Sequence, residues 1–220
     1  MTSGKQMNIF SDRKVADNYD RFYDSPFGKA LDEIEKNIIH GHIGALSHKQ
    51  MLELGCGTGH WTEYFSLQGF TITATDISGA MLQIAQSKKI KHAVFVKADA
   101  ADLPFPDHSF QVIVSVTMLE FVENAQMVLN EVYRVLKPGG HLIVGCLNSL
   151  SELGKSKNND EIFKHARFFT PSEISQLLSI FGTPSLSFGV YLSPGFELLD
   201  GTNSQNTVEP AFIVASVQKK

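Results

Sequence analysis

Seven residues, Glu53-Leu54-Gly55-Cys56-Gly57-Thr58-Gly59, constrain this 220-residue chain more than any other stretch. They follow an apolar run, Met51–Leu54, and precede Trp61, Tyr64 and Phe65, which share one face at helical spacing. Three alternating glycines let a backbone turn sharply and let a ligand approach the main chain. The helix start beyond them offers unpaired N–H groups. A strand, a glycine turn and a helix in that order are the opening of a βαβ unit.

The pattern continues in the same sense. Phe70–Thr75 alternates as a second strand, and a helix beginning at Ser78 carries Met81, Leu82 and Ala85. Ala93–Ala98 and Phe110–Val116 read as strands three and four. A helix over Glu123–Leu136 places Val128, Leu129, Val132 and Val135 on one stripe, and Lys137-Pro138-Gly139-Gly140 stops it before a fifth strand, His141–Leu147. Polar Ser149–Asp160 reads as a mobile loop. Thr170-Pro171-Ser172-Glu173 is a capping box with proline at the first helical position. Leu186–Leu192 and Ala211–Val217 read as two final strands with no helix between them, which implies antiparallel pairing. The expectation is an α/β, Rossmann-like fold. Its sheet has seven mostly parallel strands, helices on both faces and an antiparallel last strand.

One domain is expected, in three parts. Residues 1–46 form an N-terminal helical cap with a disordered start over 1–7. Residues 47–147 form the binding core, and residues 148–220 the substrate-side segment and final strands. In open parallel sheets, ligands sit outside the carboxyl ends of the strands. Four candidates fall there. The glycine turn is the first. Asp76, just past strand two, could accept bonds from vicinal ribose hydroxyls or simply cap the next helix. Asp99 with Ala100, past strand three, could read an adenine edge or merely stabilise a turn. Ser115–Met118 ends strand four and could hold an ammonium group through backbone carbonyls. A dinucleotide loop would want Gly or Ala where this chain has His60, which disfavours a dehydrogenase.

The chain from Met51 to Val144 resembles class I S-adenosylmethionine-dependent methyltransferases, in particular the small-molecule group related to ubiquinone and menaquinone biosynthesis enzymes. The matching pieces are Leu52–Gly59, Asp76-Ile77-Ser78 with Met81-Leu82, Asp99–Phe105, Phe110–Ile113 and Glu131–Gly140. The resemblance implies S-adenosylmethionine as cofactor and S-adenosylhomocysteine as product. It implies that Gly55, Gly57 and Gly59 line the methionyl and ribose portions, with Cys56 part of that loop. Glu53 would orient the methionyl ammonium, Asp76 would hold the ribose, and Ile77 and Met81 would pack on the adenine. Asp99 and Ala100 would read the adenine edge, Thr117 would touch the methionine, and Tyr19, ahead of Tyr23, would close over the cofactor. Relatives often carry a histidine where this chain has Phe121.

A formal charge of −4 disfavours nucleic acid as the partner. A small, apolar or aromatic acceptor is expected, with walls from the N-terminal helices, 148–170 and 192–206; these contain Phe10, Phe22, Phe27, Phe163, Phe168, Phe169, Tyr191 and Phe196, some expected in the core and a surplus in the pocket. A protein or RNA methyltransferase, or an inactive cofactor-binding module, are the alternatives. Glu120 and His165 are considered as a base and neither is assigned, so no residue is named as catalytic. His40, His42, His48, His92 and His108 are expected at the surface. Cys56 and Cys146 have no metal-ligand spacing, so no metal is expected and both read as buried thiols. The polar N-terminus lacks a leader's apolar run and no segment could span a bilayer, giving a cytoplasmic expectation.

Overall fold

Apolar alternation along the strands divides their side chains between two cores, one on each face of a single sheet. The computed structural model describes residues 9–200 and 208–220. The expected disorder of 1–7 and the end of the 192–206 wall lie outside the described residues. The first four strands are β1 (Gln50–Leu54), β2 (Thr71–Asp76), β3 (Ala93–Lys97) and β4 (Phe110–Val116). The remaining five are β5 (Leu136–Leu147), β6 (Ser185–Gly189), β7 (Tyr191–Leu192), β8 (Leu198–Leu199) and β9 (Phe212–Gln218). The sheet runs β3-β2-β1-β4-β5-β9-β6. Neighbours among β1 to β5 pair parallel, and β9 is antiparallel to both β5 and β6. This is the expected architecture.

The helices are α1 (Arg13–Tyr19), α2 (Arg21–Asp24), α3 (Pro26–Ile43), α4 (His60–Leu67), α5 (Gly79–Ser87), α6 (Ala125–Val135), α7 (Glu152–Ser156) and α8 (Pro171–Leu178). One core joins Met51, Val112, Val114 and Ile143 to Ile39, Ile43 and Phe65 of α3 and α4. The other joins Leu52, Leu54, Ile113 and Leu142 to Val128, Val132, Ile174 and Leu178 of α6 and α8. Chain order reverses between β1 and β4, and a crevice opens at the carboxyl ends beside that switch point. Among the described residues no helix is long and apolar enough to cross a membrane.

Four local expectations change. Residues 149–160 are not an open loop: buried Ser151 accepts from the Gly154 N–H at 3.1 Å and starts α7. The expected strand Leu186–Leu192 is split at Val190, whose φ of 58° breaks the extended run, so Tyr191–Leu192 pairs instead with Leu198–Leu199. Leu136 already pairs with Phe110, with an irregular register before His141, so β5 begins ahead of the Lys137–Gly140 turn. His42 is not a surface residue. Its ring nitrogens lie 2.7 Å from Ser216 Oγ and 2.9 Å from Ser187 Oγ, bonding α3 to the sheet. The Thr170–Glu173 capping box forms as expected.

Candidate functional site

The glycine turn is held open from behind. Gly55 has φ 69°, and a Cβ there would lie 2.2 Å from Met118 Cγ. Gly57 has φ 53°, but a Cβ there would meet nothing within 4 Å. The first glycine is therefore required by packing and the second faces open space. That space is a cavity of about 360 Å³, bordered by residues that follow β1, β2, β3 and β4.

Ten of the twelve expected cofactor residues line it: Tyr19, Gly55, Cys56, Gly57, Asp76, Ile77, Met81, Asp99, Ala100 and Thr117. The other two stand back. Gly59, with φ 84°, begins α4, and a Cβ there would press on Ile90 and Ala85. Glu53 is buried, and its Oε2 accepts from the Thr62 hydroxyl at 2.6 Å. Burial pushes the Glu53 carboxyl up to about 8, with Asp76 adding to the effect and the Thr62 bond opposing it.

Asp76 is oriented by the backbone. Its Oδ2 accepts from the Gly57 N–H at 2.8 Å and its Oδ1 from the Ser78 N–H at 2.7 Å. The Ile77 N–H also faces this carboxylate, and acceptor capacity remains for an incoming donor. Burial raises the Asp76 carboxyl, against the opposing N–H bonds of Ser78, Gly57 and Ile77. Asp99 uses one oxygen to accept from Ala101 N–H at 2.9 Å. Thr117 sits at φ 47°, a left-handed conformation that strains a β-branched residue, with its N–H donated to Gly145 O at 2.8 Å. Strain of this kind persists where the surrounding structure imposes it, commonly at binding sites.

The N-terminal segment closes one side of the cavity. Ser78 Oγ donates to Phe10 O at 2.7 Å, Thr58 donates to Asp20 at 2.6 Å, and Lys88 pairs with Asp20 at 2.7 Å. Tyr19 and Tyr23 both line the cavity and share a hydroxyl hydrogen bond. Burial pushes Tyr19 up to about 12 and raises Tyr23 further. The Tyr23 ring stacks on His60 at 3.6 Å between centroids, and His60 Nε2 bonds Asp32 at 2.7 Å. Burial alone would raise Asp32, but the bonds from His60 and Lys36 outweigh it and hold the carboxyl low.

Sequence reasoning used His60 only to argue against a dinucleotide. Its placement against Tyr23 depends on α3 folding over α4. Trp61, Phe121, Glu123, Asn124 and Met127 also line the cavity unforeseen. Of the eight aromatics in the expected walls, some of them expected in the core, only Phe10 lines it. Phe168, Phe169 and Tyr191 are core, and Phe22, Phe27 and Phe196 face solvent. Phe163 packs at the edge of a core cluster. His165 does line the cavity. Glu120 is 1% exposed and absent from the lining. Its Oε1 accepts from Leu147 N–H at 2.7 Å, and burial pushes the carboxyl up to about 7.

These buried carboxyls give a signed pH dependence. Glu35, Glu53 and Glu120 are pushed up to about 8, 8 and 7 from 4.5, foremost by burial. Between those limits the unfolded chain has released protons that the folded chain keeps. Stability therefore falls as pH rises through that window. Thermal melts are expected at lower temperature near pH ~8 than near pH ~6, with Glu53→Gln flattening the difference. A melt that is higher at the alkaline end, in wild type and variant alike, would contradict the burial account.

Residues 52–144 match a family model described as a methyltransferase domain. An uncharacterised protein of Methanocaldococcus jannaschii is 28% identical over 97% of this chain and all of its own length. A demethylmenaquinone methyltransferase of Tropheryma whipplei is 41% identical over 46% of this chain, which spans 43% of that enzyme. A Thermotoga maritima structure described as an S-adenosylmethionine-dependent methyltransferase, possibly a histamine N-methyltransferase, is 26% identical. It superposes with TM-score 0.75 over 94% of this chain and 98% of its own. Residues 52–144 thus carry a methyltransferase domain, and the chain as a whole has the fold of the S-adenosylmethionine-dependent methyltransferase on which it superposes.

Proposed function

We propose that the protein transfers a methyl group from S-adenosylmethionine to a small-molecule acceptor by in-line displacement. The observation that carries this reading is the placement of Gly57, Asp76, Asp99 and Thr117 around one cavity at four successive strand ends. The residues suit the cofactor. The open side of Gly57 accommodates a ligand against the backbone. Asp76 keeps acceptor capacity beside its backbone donors for the ribose hydroxyls, and Ile77, 40% exposed beside it, offers an apolar face for adenine. Asp99 has one oxygen available toward the adenine amino group. Tyr19 closes the N-terminal side. Gly59 and Glu53 support the turn from behind rather than touching the ligand.

The sulfonium supplies the methyl group's reactivity. The chain supplies alignment and exclusion of water; alignment alone can contribute roughly 7–11 kcal/mol to lowering a barrier. The three parts of the chain divide that work. The N-terminal helices close the cavity, the core holds the nucleoside, and the C-terminal part completes the sheet and brings His165 to the cavity wall.

The small-molecule reading is supported by the cavity's volume of about 360 Å³ and by the relative named a demethylmenaquinone methyltransferase. Incubation of the protein with methyl-labelled S-adenosylmethionine and a cell extract tests it. Label is expected in the ultrafiltrate. Label retained with protein or RNA would transfer the proposal to a macromolecular acceptor.

A further inference from the structure

The N-terminal helices bring a carboxylate against an imidazole at the cavity border. His60 begins α4 directly after the glycine turn, and it borders the cavity. Its Nε2 lies 2.7 Å from Asp32 Oδ1 of α3. Asp32 Oδ2 accepts from Lys36 Nζ at 2.6 Å. Burial opposes charge on Asp32, but the bonds from His60 and Lys36 outweigh it, so the carboxylate is ionised near neutral pH. An ionised carboxylate only accepts, so His60 Nε2 carries the hydrogen. The neutral ring then presents a lone pair at Nδ1, which has no hydrogen-bond partner among the described residues. Tyr23 lies flat on the ring at 3.6 Å between centroids, and Trp61 meets it edge-on at 6.2 Å. The ring is therefore held in tautomer and in orientation.

The other titratable groups at the cavity border are less suited to take a proton. Tyr19 and Tyr23 share a hydroxyl hydrogen bond, and burial raises both, so neither ionises near neutral pH. Burial likewise keeps Cys56 a thiol. Asp76 and Asp99 hold the nucleoside in the reading above, and Glu123 has an interaction of its own. His165 borders the cavity as well, but it is exposed and nothing among the described residues orients its ring. An imidazole oriented by a carboxylate beside a ligand cavity is the arrangement of a general base.

We infer that the Asp32–His60 pair takes a proton from the acceptor, and that the acceptor is a hydroxyl compound. This rests on the methyltransferase reading above and adds to it a catalytic residue and an acceptor class. A carboxylate or a neutral amine attacks a sulfonium without first losing a proton, so an oriented base serves where a hydroxyl attacks. His60 Nδ1 takes the hydroxyl proton as the oxygen lone pair forms the new O–C bond and the C–S bonding pair passes to sulfur. A hydroxyl compound, a sulfonium and a neutral imidazole become a methyl ether, a thioether and an imidazolium. The positive charge moves from sulfur to His60, where the Asp32 carboxylate stabilises it. The imidazolium then returns its proton to water. Asp32 is a positioning residue that fixes the tautomer and the ring.

Label transfer from methyl-labelled S-adenosylmethionine into the small-molecule fraction of a cell extract, run beside calorimetry with S-adenosylhomocysteine, tests this. His60→Gln keeps a donor toward Asp32. It is expected to slow transfer by about a hundredfold or more while S-adenosylhomocysteine affinity is retained. Asp32→Asn can offer Nε2 a donor, which favours the wrong tautomer, and is expected to slow transfer at least about tenfold. Added imidazole is expected to restore part of the transfer by His60→Ala and none of that by Asp32→Asn. The labelled product is expected to be a methyl ether, whose label resists mild alkali. Full transfer by His60→Gln, a loss that only tracks S-adenosylhomocysteine affinity, or an alkali-labile methyl ester as product would overturn the proton role and leave the methyltransferase reading standing. Failure of S-adenosylhomocysteine to bind, or binding without any labelling by the wild type, would bring down both.

Discussion

Asp76→Ala is expected to weaken S-adenosylhomocysteine binding by about a hundredfold, with the protein still folded. Two ribose hydroxyls donating to one carboxylate form charge-assisted bonds, each contributing ~1.5–3 kcal/mol. Loss of about 3 kcal/mol corresponds to roughly two decades in affinity. The variant also strips acceptors from the Gly57 and Ser78 N–H groups, so the turn itself loosens. Asp99→Ala is the internal comparison. Asp99 already gives one oxygen to Ala101 and stands at the adenine end, so about a tenfold loss is expected there. Titration calorimetry alongside a thermal melt separates the two effects. Equal, small losses at both positions would remove Asp76 from the ribose role.

Gly55→Ala and Gly57→Ala should separate stability from binding. At Gly55 the added carbon meets Met118 Cγ at 2.2 Å and Cβ at 2.6 Å while φ stays at 69°. Left-handed strain of ~1–2 kcal/mol and overpacking of ~1–3 kcal/mol add up to a severe defect. In a chain of this size the melting temperature should fall by roughly 10 °C. At Gly57 the added carbon meets nothing, so only the conformational strain applies and the melt should shift by a few degrees, about a third as far. The Gly57 methyl instead enters the cavity, so cofactor affinity should fall more than stability does. The reverse ranking, with Gly57→Ala the less stable and Gly55→Ala the weaker binder, would contradict the placement of the two glycines.

The sheet and the turns that border the cavity were legible because local signals carry them. Phe110–Val116 is an apolar run between turn residues, and its strand bounds agree with the sequence reading. Thr170 and Glu173 form a capping box three residues apart, a contact the sequence displays directly. Asp76 could be located because a strand ends there and a helix begins, though its backbone donors could not be foreseen. The fault at Val190 was hidden, because a valine at φ 58° sits there under tertiary constraint against its own preference. The helix after Ser151 was hidden by its polar composition. It depends on a single buried cap rather than on an apolar stripe.

The group of rings beside the cavity was the least legible part. Tyr23, Asp32 and His60 form one stacked and bonded group, with Asp32 and His60 28 residues apart in the chain. Phe10 and Phe121 meet across the whole cofactor half. No periodicity encodes such meetings, because they follow from how the N-terminal helices fold back over α4 and α5. The phenylalanines that looked available, Phe168 and Phe169, were drawn into the core instead.

The structure of the protein with S-adenosylhomocysteine bound tests the central claim most directly. The account predicts both ribose hydroxyls on the Asp76 carboxylate and adenine over Ile77 with its edge at Asp99. A nucleoside bound elsewhere, or bound in this cavity with its ribose away from Asp76, would contradict it.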